Sequence, residues 1–192
     1  TIVMPERAPL TKVAATRRLG AEVILHGATF DDAGAHAREL QQERELTYVH
    51  AFNDERVIAG QGTIGLEIVE ALPDLAALAV PIGGGGLIGG IAIAVKALMP
   101  DVRIVGVQAA GCAPVPQSLA AGEPVTFPGA RTIADGIAVK RPGDLTLPII
   151  RDLVDDVVTV DDEEIARAIA HAAQNARQVI EGAGAVGLAA VI

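Results

Sequence analysis

Four consecutive glycines, Gly83 to Gly86, are the part of this sequence whose residue types most clearly imply chemistry. They stand between an apolar run at residues 78–82 and a second apolar run that begins at Leu87. Glycines lose much chain entropy on ordering and bury no side chain, and close packing alone would need only one or two of them. Unpaired N–H groups and the helix dipole at a strand-to-helix junction favour an anion, most often a phosphate. The run therefore predicts a phosphate-binding loop, with a tight, closely packed turn as the alternative.

The neighbouring residues restrict which phosphate is bound. Gly84, Gly86 and Gly89 satisfy the GxGxxG pattern of dinucleotide sites, but that pattern expects an acidic residue about 20 positions later, where the neutral Gln108 stands. A P-loop needs Gly-Lys-Ser/Thr, whereas Ile91 follows the glycines here. A mononucleotide or a small phosphorylated cofactor remains. A nicotinamide-dependent oxidoreductase domain and a non-catalytic phosphate-binding module stay open as alternatives.

The elements that must position this loop alternate regularly, which predicts parallel βαβ units in a doubly wound α/β fold. Thr29 with Asp32, and Asp161 with Glu164, have the spacing of helix capping boxes. A change in composition near Thr47 predicts a boundary between a smaller βα domain (1–47) and a larger domain (48–192) that carries the glycines. Strands are predicted at 2–4, 21–25, 47–50, 78–82, 102–107 and 157–160, and helices at 9–19, 29–44, 57–72, 87–98 and from 161 onward.

Composition narrows the class of protein. Of the 192 residues 51% are apolar but only 2% are aromatic, and the formal net charge is -9, so a nucleic-acid partner is not expected. Cys112 is the single cysteine, which excludes an internal disulfide framework, and no apolar run approaches the length of a membrane span. We expect a cytoplasmic protein with a small-molecule substrate. Because the sequence starts at Thr1 and stops inside an apolar run, we expect a domain pair that is incomplete at both ends.

Six segments resemble the fold-type II pyridoxal-phosphate enzymes, and within them the threonine dehydratases, with serine racemases and serine dehydratases as relatives. They are TIVMP at 1–5, GAEV at 20–23, AGQGT at 59–63, PIGGGGL at 81–87, TIADG at 132–136 and EGAGA at 181–185. The resemblance implies pyridoxal 5'-phosphate as cofactor and an ammonia-lyase that converts L-threonine or L-serine, giving 2-oxobutanoate and ammonia from threonine. It also implies a homo-oligomer, a dimer or tetramer, for the full-length protein.

By this resemblance, backbone N–H groups of the glycine loop bind the cofactor phosphate, and Gly136 and Glu181 lie beside the cofactor ring and the substrate. Asp135 could equally stabilise a turn, and the carboxylate at 181 could simply begin a helix. Phe52 and Asn53 match a segment that lines the same cleft, where plain packing is an equal explanation for Phe52. The implied cofactor-binding residues are Gly83, Gly84, Gly85, Gly86, Leu87, Gly136 and Glu181.

The resemblance also indicates what this sequence lacks. The lysine to which the family attaches the cofactor lies in a Ser-Phe-Lys motif upstream of Thr1, and Lys12, Lys96 and Lys140 lack that context. No catalytic residue is therefore assigned, and the isolated chain is expected to be inactive. Acidic cation ligands of the serine racemases are replaced by Gln108 and Pro114, so no metal site is predicted. The histidines His26, His36, His50 and His171 form no ligand pattern.

Overall fold

The computed structural model describes all 192 residues and divides into two compact units, Thr1–Val49 and His50–Ile192. Each unit has its own parallel sheet, with two strands in the first unit and three in the second. The parallel α/β architecture predicted from the alternation of elements is confirmed.

The first unit consists of two βα repeats. Strands β1 (Ile2–Met4) and β2 (Val23–Leu25) pair in parallel, with Ile2 opposite Val23. Helix α1 (Leu10–Arg18) ends before Gly20, whose φ of 84° lies in the left-handed region that glycine adopts without strain. Helix α2 (Phe30–Glu43) begins with the predicted capping box of Thr29 and Asp32. The strand predicted at 47–50 is wrong, because these residues form no ladder with either strand.

The second unit carries the glycine loop. Its strands pair in parallel in the order β3-β4-β5, and each connection between neighbouring strands contains at least one helix. Its elements are α3 (Glu55–Ala71), β3 (Ala77–Pro81), α4 (Gly86–Leu98), β4 (Arg103–Ala109), α5 (Pro114–Ala121), α6 (Thr146–Leu153), β5 (Asp156–Val160), α7 (Asp162–His171) and α8 (Gly182–Ala189).

Both faces of this three-stranded sheet are covered, because side chains alternate between two hydrophobic clusters. Val80 and Ile104 face a cluster that includes residues of α4, α5 and α6. Val107 and Val160 face a second cluster formed with α7 and α8. A sheet buried on both faces explains why its strands read as nearly continuous apolar runs rather than as alternating ones.

Helices α3 and α4 approach each other through glycines rather than through side chains. A Cβ placed on Gly90 would overlap the carbonyl oxygen of Ile58 and lie 2.6 Å from the nitrogen of Gly62. A Cβ on Gly65 would lie 3.0 Å from the Cβ of Ala94. The glycine at position 62 in the AGQGT segment therefore serves the contact between two backbones.

Sequence patterns predicted α3, α4, β3, β4 and β5, with each predicted end at most two residues from the end in the structure. They missed α5 and α6, which lie within and just after the proline- and glycine-rich region 111–143, and α8, which is rich in glycine and alanine. None of the helices combines the length and apolar character needed to cross a bilayer.

Candidate functional site

The glycine loop joins the end of β3 to the start of α4. Ile82 still donates to the carbonyl oxygen of Val107 in the sheet, at 2.8 Å, and Gly85 is the residue that precedes the helix. Gly85 has a φ of 97°, which side-chain-bearing residues rarely adopt, and a Cβ there would lie 2.6 Å from Oγ1 of Thr146. Glycine at this position is thus required by both backbone conformation and space.

The N–H groups and the carbonyl groups of this loop differ in whether they are hydrogen-bonded within the protein. The N–H groups from Gly83 to Leu87 have no acceptor within the protein, whereas carbonyls of the loop are bonded inside it. The carbonyl oxygen of Gly84 accepts from Oγ1 of Thr146 at 2.6 Å and from the N–H of Gly143 at 3.2 Å. Free N–H groups at the start of a thirteen-residue helix attract an anion, so these residues fit the phosphate of a cofactor.

Side chains pack closely against the Cα positions of the same loop. A Cβ on Gly84 would overlap the ring of Phe52, and a Cβ on Gly86 would lie 2.8 Å from the Cβ of Phe52. A Cβ on Gly83 would lie 3.2 Å from the Cα of Ile137. Close packing, the alternative role for the glycines, is therefore present as well. Because the loop has no side chains, its backbone N–H groups are the donors that it can offer to a ligand.

A short turn and hydrogen bonds donated to a histidine ring place Phe52. The N–H groups of Phe52 and Asn53 donate to Nδ1 of His50 at 3.2 and 2.9 Å. Asn53 in turn accepts from the N–H of Leu145 at 2.9 Å through Oδ1. This role of His50 is not predictable from the sequence, because a histidine two residues before an aromatic residue carries no recognisable signal for it.

The two residues predicted to lie beside the cofactor ring are neighbours. Gly136 lies in the 3₁₀ turn Asp135–Ile137, and Glu181 immediately precedes α8. A Cβ on Gly136 would lie 3.0 Å from the Cβ of Ala183 and 3.4 Å from Oε1 of Glu181. Since Ile137 contacts Gly83, the structure brings the TIADG and EGAGA segments and the start of the glycine loop into one region. Whether Gly136 and Glu181 contact a cofactor stays a prediction.

Gln108, singled out only as a neutral residue, is fully buried at the end of β4. Its Nε2 donates to the carbonyl oxygen of Ile82 at 3.2 Å, and its Oε1 accepts from the N–H of Val115 at 2.9 Å. Both ends of the amide are therefore used inside the protein. Pro114, at the second position considered for a cation ligand, is the first residue of α5.

Thr146, the first residue of α6, was not singled out by sequence analysis at all. It is fully buried, and its hydroxyl both donates to Gly84 and accepts from the N–H of Gly143 at 3.1 Å. The contact spans 62 positions of sequence, and a single threonine at the start of a helix gives no local signal of such a partner.

The comparisons with known proteins agree with this geometry. The family described as "Pyridoxal-phosphate dependent enzyme" matches residues 1–192. An L-threonine ammonia-lyase of Thermotoga maritima is 52% identical over 192 residues, and one of Geobacter sulfurreducens is 54% identical over the same length. Each alignment covers 100% of this chain and 48% of the relative, so the chain spans about half the length of these curated relatives.

Solved structures show the same likeness. Maize serine racemase superposes with a TM-score of 0.92 at 40% identity, covering 98% of this chain and 57% of the racemase chain. The processed form of threonine deaminase isoform 2 from Solanum lycopersicum has a TM-score of 0.91 at 42% identity, covering 98% of this chain and 55% of that one. From its first residue to its last, the chain belongs to the family of pyridoxal-phosphate-dependent enzymes.

Proposed function

We propose that this chain is the phosphate-binding segment of a pyridoxal-phosphate-dependent L-threonine ammonia-lyase, which forms 2-oxobutanoate and ammonia. The observation that carries the proposal is the glycine loop, whose N–H groups from Gly83 to Leu87 have no acceptor within the protein. Identities of 52% and 54% to L-threonine ammonia-lyases across the whole chain support the choice of reaction.

The chain's own part in this reaction is to hold and orient the cofactor. Backbone N–H groups of the loop would bind its phosphate, and the positive end of the α4 dipole would favour that charge. Gly136 would leave room for the ring and the substrate, and Glu181, 3.4 Å from where a Cβ of Gly136 would lie, would face the same space. When bound, the cofactor acts as an electron sink that makes the α-proton of an amino acid acidic.

The comparisons bear on two alternatives to the proposed lyase, a nicotinamide-dependent oxidoreductase and a serine racemase. The nicotinamide-dependent alternative loses its support, because the family that matches the chain uses pyridoxal phosphate and Gln108 is committed to the protein interior. A serine racemase remains the second candidate, since maize serine racemase has a TM-score of 0.92. The lyase is favoured because identity to the lyases is higher than the 40% identity to that racemase. A homo-oligomeric full-length protein and a cytoplasmic location stay predictions.

A chimera tests the proposed reaction. The matching segment of the Thermotoga maritima relative, which is 52% identical, would be replaced by this chain, and the purified chimera loaded with pyridoxal phosphate. We expect 2-oxobutanoate from L-threonine. Formation of D-serine from L-serine without any keto acid would instead support the racemase. A folded, cofactor-loaded chimera that does neither would contradict both.

The chain alone is expected to give no turnover, even with added pyridoxal phosphate. Lys96 is paired with Asp155 at 2.9 Å, Lys12 lies in α1 of the first unit, and Lys140 lacks the family's lysine motif. The measurement is 2-oxobutanoate production from L-threonine by the purified chain, and detectable product that rises with chain concentration would contradict the expectation.

A further inference from the structure

We propose that two buried side chains, Gln108 and Thr146, are positioning residues that aim the N–H groups of the glycine loop at the phosphate. This inference rests on the proposed function, because it concerns how the same loop binds its anion. Neither residue contacts a ligand in this proposal. Each acts through a backbone carbonyl of the loop.

The geometry of the peptide bond links each carbonyl of the loop to the N–H group that follows it. All peptide bonds of the chain are trans, so the carbonyl of one residue and the N–H of the next point in opposite directions. A hydrogen bond that fixes a carbonyl therefore fixes the direction of the following N–H as well. Glycine backbones adopt many conformations, so without such a bond the N–H groups of this loop would have no preferred direction.

Gln108 fixes the first peptide unit of the loop. Its Nε2 donates to the carbonyl oxygen of Ile82, so the N–H of Gly83 must point away from Gln108. The amide of Gln108 is itself held, because its Oε1 accepts from the N–H of Val115 at the start of α5. The orientation of Gly83 is thus tied to a side chain that is completely excluded from solvent.

Thr146 fixes the third peptide unit in the same way. Its Oγ1 donates to the carbonyl oxygen of Gly84 at 2.6 Å, and the N–H of Gly143, three residues before Thr146, donates to the same oxygen at 3.2 Å. The N–H of Gly85 must therefore point away from Thr146. A side chain at Gly85 would collide with this hydroxyl, at 2.6 Å, so the contact and the left-handed conformation of residue 85 each require glycine there.

The chemistry of the two side chains supports a positioning role. Both are polar and fully buried, and each spends its hydrogen bonds on backbone groups, one of which belongs to the loop. An apolar residue of similar size in either place would leave these backbone groups without that partner. Holding the loop before the ligand arrives lowers the ordering cost of binding, which is the effect we assign to Gln108 and Thr146.

The test compares a phosphorylated probe with its unphosphorylated counterpart. Pyridoxine 5'-phosphate and pyridoxine have no aldehyde and cannot react with lysines. The dissociation constant of pyridoxine divided by that of its phosphate ester therefore reports on the phosphate contacts alone, and this quotient is the ratio to be measured. We expect the full chain to prefer the phosphate ester, and inorganic phosphate to shift the amide proton resonances of Gly83 and Gly85. Thr146→Val should reduce the ratio about tenfold, the effect of losing one well-placed hydrogen bond. Thr146→Ser, which keeps the hydroxyl, should stay within about twofold of the original.

Ser118→Ala is the matched control. Ser118 is also fully buried, and its hydroxyl also links two backbone groups, the carbonyl oxygen of Pro114 and the N–H of Val125, but it does not touch the loop. Loss of this hydroxyl should reduce stability without changing the ratio. If Thr146→Val fails to fold, Gln108→Met is measured by the same criteria.

The outcomes separate the two proposals. If the unmodified chain shows no preference for the phosphate ester and no amide shift at Gly83 or Gly85, the proposed function of the loop fails and the positioning role fails with it. If the chain binds phosphate but the folded Thr146 or Gln108 variants keep its preference, only the positioning role is wrong. A change in the ratio equal to that of Ser118→Ala would also overturn it.

Discussion

Replacement of Gly90 by alanine should destabilise the second unit, whereas the same change at the adjacent Gly89 should stabilise it. Both residues lie inside α4, where alanine is favoured over glycine by about 1 kcal/mol. At Gly89 the new Cβ would meet the side chains of Ile149, at 3.6 Å, and Ile58, at 3.9 Å, and both are ordinary contacts. At Gly90 it would overlap the carbonyl oxygen of Ile58, and backbone cannot rotate away as a side chain can.

The magnitude follows from these two terms. Forcing a methyl group into a closed contact costs up to about 3 kcal/mol, so Gly90→Ala should lose about 2 kcal/mol net, while Gly89→Ala should gain about 1 kcal/mol. For a chain of this size that corresponds to a fall in Tm of roughly 4–8 °C for Gly90→Ala and a rise of roughly 2–4 °C for Gly89→Ala.

Thermal unfolding followed by far-ultraviolet circular dichroism is the appropriate assay. The chain has no tryptophan, and its only tyrosine, Tyr48, lies in the first unit, so fluorescence would not report on α4. The reasoning is refuted if Gly90→Ala unfolds at or above the temperature of the unmodified chain, or if the two variants shift Tm in the same direction by similar amounts.

Three further predictions concern pH, capping and the loop. The N–H of Ile104 and the ammonium of Lys96 lower the pKa of Asp155, so its stabilisation is complete above the unfolded pKa of about 3.9 and is lost as pH falls through the lower folded value. Asp155→Asn should therefore be less stable than the unmodified chain at pH 7, with a difference that shrinks in urea titrations at progressively lower pH; a constant difference would contradict this. Asp161→Ala removes the cap of α7 and should lower stability by about 1 kcal/mol in the same titrations at pH 7, and no change would contradict a capping role. Gly85→Ala should abolish the amide shift caused by inorganic phosphate while the chain stays folded, and an unchanged shift would show that the positive φ is not needed for binding.

Local patterns sufficed wherever an element and its limits are encoded by neighbours in sequence. The capping boxes at Thr29 and Asp161 were predicted because each cap lies three residues from its partner. The helix α8 was missed because its glycines and alanines show no amphipathic period. They are there for close contacts, as when a Cβ on Gly187 would lie 2.9 Å from the carbonyl oxygen of Ala79.

In the candidate site, too, only the features that neighbouring residues encode could be predicted from the sequence. The glycine loop could be predicted, because four glycines between a strand and a helix have a physical meaning in themselves. The residues that hold the loop could not, since Gln108 lies 26 positions from Ile82 and Thr146 lies 62 positions from Gly84. Their roles arise only when the chain folds, and neither residue type announces a partner at such a distance.

The glycine-lined contact between α3 and α4 has a mechanical consequence. Side chains at an ordinary helix interface can change rotamer and absorb a small displacement, but Gly62 and Gly90 bring two main chains together with nothing between them that could yield. Helix α4 begins at Gly86 and α3 begins just after the turn that carries Phe52, so both helices start at the loop. A displacement of α3 would therefore pass to α4 through direct main-chain contact, without a side-chain rotamer change to absorb it.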